Sequence, residues 1–204
     1  ADGATGDIDP TSIHYFFTAL PFSCKENGRK YGDPDWNAVL GHVLFTLDTM
    51  AAKWRHEATV SEKFDRLAVT ETLPNGLSYC ALNGHPNLRH EAYTRGVNVA
   101  AWTAPQKGGF YPAVQVADDS DLNLTPLIIA LREEEAKRRG VETSDLELSS
   151  FRQVEGIPGW FLHDTRRFLG CGTRTHPLEP DEFTKMKASR FFEIVRAELG
   201  RIEI

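Results

Sequence analysis

The sequence is short of cysteine, of positive charge and of long apolar runs. Three Cys in 204 residues cannot make a disulfide framework, and the odd number leaves at least one thiol free. Lys and Arg total 23 against 29 Asp and Glu, a formal charge of −6. That balance excludes a surface covered in cations for bulk nucleic acid, though not one local basic patch. No stretch approaches the roughly 18 apolar residues of a membrane span, so no membrane partner is expected. The opening ADGATGDIDP is acidic and small, unlike the basic, apolar start of a secretory signal. Together these absences point to a soluble protein of a reducing compartment, the cytoplasm.

Familiar catalytic signatures are absent too. There is no phosphate loop ending in Gly-Lys-Ser/Thr, no dinucleotide glycine fingerprint and no paired-Cys zinc spacing. A zinc-protease His-Glu pair and a Gly-x-Ser-x-Gly elbow are likewise missing, and no cofactor is implied. What the chain does have is core material: it is 41% hydrophobic, with four Trp and twelve Phe. That is globular composition.

Along the chain, residues 1–12 form an acidic N-terminal arm and residues 13–204 read as a single α+β domain. Ile13 to Phe22, aromatic and β-branched at its start, predicts a buried first strand. Asp33-Pro34-Asp35 is a helix entry, with a capping acid and Pro at the first helical position. Behind it Trp36, Val39, Leu40, Val43, Leu44, Leu47, Met50, Ala51 and Trp54 recur at three- and four-residue steps. This stripe predicts a helix over 35–57 with an inward apolar face. A hairpin follows, 66–73 and 77–82 around Pro74-Asn75-Gly76, then an irregular polar stretch over 84–95. Strands are expected at 97–103, 110–117, 145–152 and 159–163, and helices over 126–139 and from Pro180-Asp181 to about Gly200. Adjacent strand pairs separated by helices predict an α+β fold with a largely antiparallel sheet packed with three main helices.

Three clusters could carry chemistry. Cys80, His85, His90 and Glu91 offer a thiol with imidazoles behind it, the ingredients of a nucleophile and base. Pro86 lies between the histidines, so no regular helix presents them together. The competing reading is a buried thiol beside solvated histidines. Asp118, Asp119 and Asp121 resemble a cation loop only in charge, lacking its Gly and distal Glu, so no metal site is expected. From 151 to 176, four arginines (Arg152, Arg166, Arg167, Arg174) face only Glu155 and Asp164, a +2 island in a chain of −6. Guanidinium forks hold phosphates, and glycines let backbone N–H groups approach an anion. Here Arg166, Arg167, Arg174 and His176 would supply charge, Gly170 and Gly172 the close approach, and Trp160 or Phe168 a stacking face. The competing reading is an arginine-rich turn neutralised by nearby acids.

RFLGCGTR (167–174) resembles the Leu-Gly-Cys-Arg stretch near the end of Cas5-type proteins, the RNA-gripping subunits of CRISPR effector complexes. DWNAVLGHVLF (35–45) is similar to the opening of the wider ferredoxin-like RNA-binding family. The two stretches cover about twenty of the 204 residues, and Gly172-Thr173 is inserted before the final Arg. The resemblance implies a ferredoxin-like fold, backbone contacts to a guide RNA and packing against other protein subunits. The leading expectation is therefore a non-catalytic subunit binding RNA or a nucleotide-like anion. A Cys80-dependent hydrolase or transferase using His85 or His90, and a structural component of an assembly, are the alternatives.

Overall fold

The computed structural model describes residues 36–106, 108–118, 120–172, 178–179 and 181–203, with side chains from residue 43 onward. The expected first strand, the helix entry at 33–35, the acidic arm, Arg174 and His176 lie outside the described residues. The chain divides into two compact units, 1–61 and 62–204. No helix among the described residues is long and apolar enough to cross a membrane.

Helix α1 runs from Trp36 to Leu67, ten residues past its expected end. No Gly or Pro interrupts residues 58–67, and Phe64 gives this last part a buried anchor. The Arg95 guanidinium lies 4.6 Å over that ring and bridges Asp65 to Glu91. The expectation that the α1 stripe is buried is not met: Leu44, Leu47 and Trp54 are each about half exposed.

Strands β1 (Val69–Thr72) and β2 (Ser78–Asn83) form the predicted hairpin, with Leu73 N–H donating to Leu77 C=O at 2.8 Å. Its turn has three residues, and of these Gly76 alone takes a positive φ, 90°. Asn75 has a longer reach. Its amide nitrogen donates to Leu199 C=O (2.7 Å) and Ile202 C=O (2.8 Å), tying the turn to the end of the last helix.

The polar stretch after β2 is a compact crossover rather than irregular chain. A 3-10 turn at Pro86–Leu88 leads into the short helix α2, Arg89–Thr94. Only Leu88 and Ala92 are buried along it, too few to write a helical period. The crossover sets β3 (Val99–Gln106) parallel to β2, and β4 (Gly109–Val116) returns antiparallel. Beyond helix α3 (Thr125–Arg139), β5 (Trp160–Leu162) and β6 (Phe168–Cys171) complete the sheet. Helix α4 (Ala188–Leu199) closes the chain. The order is β1-β2-β3-β4-β6-β5, antiparallel except between β2 and β3. The fold is α+β with a mostly antiparallel six-stranded sheet.

Alternation along the strands sorts the side chains onto two faces. Tyr79, Val99, Ala101, Val114, Val116, Trp160, Leu162, Leu169 and Cys171 pack in one core with Leu127, Ile128 and Leu131 of α3 and Phe191, Val195 and Leu199 of α4. The intervening residues, among them Trp102, Gln115, Phe161, Phe168 and Gly170, belong to the opposite face.

Segment 145–152 is not the predicted strand, because its carbonyls are already taken. Arg132, fully buried on α3, donates to Leu148 C=O (2.6 Å), Ser150 C=O (2.7 Å), Arg152 C=O and Trp160 C=O (2.8 Å). Desolvation pulls its pKa down to about 10, so it still carries its charge at neutral pH. One turn on, the buried Glu135 carboxylate accepts from Arg139 Nε (2.8 Å), Thr184 Oγ1 (2.6 Å), Lys185 N–H (2.9 Å) and Trp160 Nε1 (3.4 Å). These bonds hold 183–186 in an irregular approach with Phe183 and Met186 buried, so α4 opens at Ala188 rather than at the expected Pro180-Asp181. Pro180 lies outside the described residues. Removing the guanidinium should leave several carbonyls buried without a donor. Arg132→Met is expected to lose about 3 kcal/mol or more of unfolding free energy. A urea midpoint implying a loss below about 1 kcal/mol would mean those carbonyls find other donors.

Candidate functional site

Residues 163–167, His-Asp-Thr-Arg-Arg, join β5 to β6. His163 N–H donates to Phe168 C=O and Arg166 N–H to His163 C=O, both at 2.8 Å. The tip is pinned from two sides. Val116 N–H, at the end of β4, donates to Arg167 C=O (2.9 Å), and Leu124 N–H, just before α3, donates to Arg166 C=O (2.8 Å). Arg166 is held at φ 58°, a left-handed conformation that disfavours residues other than glycine. Such strain at a surface tip is a mark of sites kept for function.

Among the described residues, no carboxylate neutralises the arginines of this tip. Arg95, Arg138, Arg139, Arg190, Arg196 and Arg201 each contact a carboxylate. Arg166 instead lies 5.3 Å over the ring of Phe151, which is itself exposed. Arg167 donates to the Ala117 carbonyl oxygen. Neither forms an ion pair among the described residues.

Beside Arg167 a cleft of about 350 Å³ is lined by Gln115, Asp118, His163, Thr165 and Phe168. Phe168 is half-buried, its ring centroid 5.8 Å from that of Phe161 and 6.1 Å from that of Trp102. Arg89 lies 5.5 Å over the Trp102 ring. Of the lining residues, His163 contacts Thr165 Oγ1 and Asp164 Oδ1 through its Nδ1. An anion, a ring and a hydrogen-bonding edge could each find a partner here.

Three of the sequence-predicted ligand residues are corrected by burial. Trp160 is fully buried against Phe191, its centroid 6.2 Å away and its Nε1 turned to Glu135, so it offers no stacking face. Gly170 lies inside β6, paired with Ala113 and Phe161. A Cβ there would meet Pro112 C=O, Ala113 Cβ and the Phe161 ring at 3.4–3.5 Å, ordinary contact distances, so the position is a packed strand site rather than an opening for a ligand. Gly172 is buried at φ 74°, gives its N–H to Gly159 C=O (2.9 Å), and has no space for a Cβ beside Leu178 and Tyr111. The glycines read as a ligand loop belong to a strand and its end. Arg166, Arg167 and Phe168 stay together at the tip. Phe161, next to the discarded Trp160, joins them because strand alternation turns it to the opposite face. Gln115 and Asp118 come from the end of β4, and nothing in their spacing from the tip announces the meeting.

The Cys/His cluster fares differently. Cys80 is fully buried in β2, and desolvation pushes its thiol up to about 11. His85 lies in the turn before the 3-10 segment, and His90 is exposed on α2. A nucleophile needs a thiolate, and burial withholds one here. Among the described residues, no three or more His, Cys, Asp or Glu could hold a metal ion together.

Neither protein-family models nor curated proteins match this sequence. Among solved structures, the pGpG-specific phosphodiesterase PggH from Vibrio cholerae is similar at a TM-score of 0.39 and 12% identity, over 97% of this chain. The chain spans 63% of that structure's length. A superposition so loose identifies neither a common fold nor a common activity.

Two outcomes follow from this geometry. Because its folded pKa is raised, Cys80 should remain a protonated thiol at neutral pH and resist iodoacetamide until the chain is unfolded; fast native-state labelling below pH 8 would restore it as a nucleophile. Arg166→Gly should relax the left-handed position, raising unfolding free energy by up to about 1 kcal/mol by urea titration. A destabilised variant would show that the stack on Phe151 outweighs the strain.

Proposed function

We propose that this chain is a non-catalytic binding subunit that grips RNA or a nucleotide-like anion at the tip between β5 and β6. Arg166 and Arg167 hold phosphate oxygens, and Phe168 with Phe161 offers ring faces to a base. The observation that carries this reading is that, among the described residues, no carboxylate contacts the two tip arginines, while six other arginines are paired. A guanidinium without a counter-ion keeps its forked donors available for phosphate. The strained φ at Arg166 supports the same reading, since an exposed turn under no functional demand would favour glycine there. RFLGCGTR begins at Arg167, so its resemblance to Cas5-type subunits bears on this same hairpin. A place on RNA beside other protein subunits is part of the proposal. The acidic balance of the whole chain limits the contact to this patch.

The test is fluorescence anisotropy with a short labelled single-stranded RNA at two salt concentrations. Two phosphate contacts on a single strand predict roughly a 7-fold weakening between about 50 and about 200 mM salt. Arg166→Ala/Arg167→Ala should bind weakly and lose most of that salt dependence. Salt-insensitive binding, or a double variant that binds like the parent chain, would remove the reading.

A further inference from the structure

The cleft beside Arg167 is lined by groups of opposite charge. Arg167 and Asp118 line the same 350 Å³ space, yet no ion pair joins them. Asp118 is exposed and has no ion pair among the described residues, and the Arg167 guanidinium is turned to the neighbouring Ala117 carbonyl. A carboxylate and a guanidinium that share a cleft without pairing leave one acceptor and one cation open to a ligand. Phe168 adds an apolar surface to the lining, and Gln115 adds an amide, able both to donate and to accept. The volume falls at the low end of small-ligand pockets, enough for one ring system with part of its substituents.

Hydrogen-bond chemistry then selects the ring. Adenine and cytosine each present an amino donor beside a ring-nitrogen acceptor on their pairing edge. That acceptor would face a carboxylate oxygen lone pair to lone pair. Uracil presents one N–H flanked by two carbonyl oxygens. Guanine alone places two adjacent donors, N1–H and N2–H, on one edge, and a carboxylate accepts both at once. Its O6 and N7 acceptors are left for an amide or hydroxyl donor such as Gln115 or Thr165.

We propose that this cleft is a guanine subsite, with Asp118 receiving the pairing edge and Arg167 the nucleotide's phosphate side. The inference rests on the RNA- or nucleotide-binding reading above and adds base preference to it.

The experiment titrates the full chain with GMP, AMP, CMP and UMP by calorimetry, with the labelled RNA in parallel. GMP is expected to bind about 10- to 100-fold more tightly than the other three, the range of one bidentate base contact. Asp118→Asn should abolish that preference. It should also leave AMP, CMP and UMP unchanged or slightly tighter, since it removes a negative charge near a phosphate. Loss of folding or a general electrostatic effect would move all four together. Asp121→Asn, on the same loop but not lining the cleft, should keep the preference. Equal affinity for all four nucleotides, with Arg167→Ala weakening each, would overturn the guanine subsite and leave the binding function standing. Failure of the RNA and of every nucleotide to bind would overturn both. Binding of a zwitterionic amino acid such as glycine, with none of the four nucleotides binding, would also overturn the subsite, because the two charged groups would then be serving a smaller ligand.

Discussion

Much of the second unit depends on one buried guanidinium. Arg132 points from α3 into the interior and is covered by four backbone carbonyls from residues 148 to 160. A buried cation is costly unless its donors are met, and here only Nε lacks a partner. Each carbonyl it holds is one that no sheet partner has to satisfy. A stretch without regular structure can therefore run through the interior, with Ala136, Val154 and Ile157 as its small core. The same bonds fix the start of β5 through Trp160 C=O, and the chain around Phe151 through the flanking Ser150 and Arg152 carbonyls. Since Phe151 supports Arg166, the candidate site inherits its position from a residue on a different element.

Glu135 does for the following segment what Arg132 does for the preceding one. One carboxylate gathers the indole of Trp160, the guanidinium of Arg139, the hydroxyl of Thr184 and the backbone of Lys185. Together the two charges, three residues apart on one helix, convert an ordinary amphipathic helix into the hub for the whole C-terminal half. Charges bonded to this extent act through geometry more than through net stability, since desolvation offsets much of the attraction. Their effect is to place a short hairpin, with no length of its own to be stiff, against the ends of β4 and α3.

Legibility in the sequence followed burial pattern and turn chemistry. The β1–β2 hairpin was readable because Asn75-Gly76 sits between apolar runs, and α3 because a helix-starting Pro and a terminating Gly140 bracket a run of good helix formers. Helix α2 was not, since two buried residues write no period. Strand β6 was hidden because its Gly-Cys-Gly looked like a ligand loop, whereas Gly170 is paired on both sides inside the sheet. Trp160 and Phe161 are adjacent letters with opposite fates: strand alternation sends one to the core and the other outward. The alternation is readable only once the strand itself is known.

By itself the sequence determined the fold class, the main hairpins, the long helices and the existence of an arginine-rich tip. These depend on local propensity and short-range patterning. The tertiary structure alone decided which of those arginines lack a carboxylate among the described residues, that Asp118 and Gln115 border Arg167, and that Cys80 is sealed within the sheet. Those facts depend on pairing between residues that are not neighbours in sequence, from Cys80 with Thr70 and Ala100 to Arg167 with Ala117. Such contacts are set by strand order and by buried charges such as Arg132, and no local window of sequence contains them.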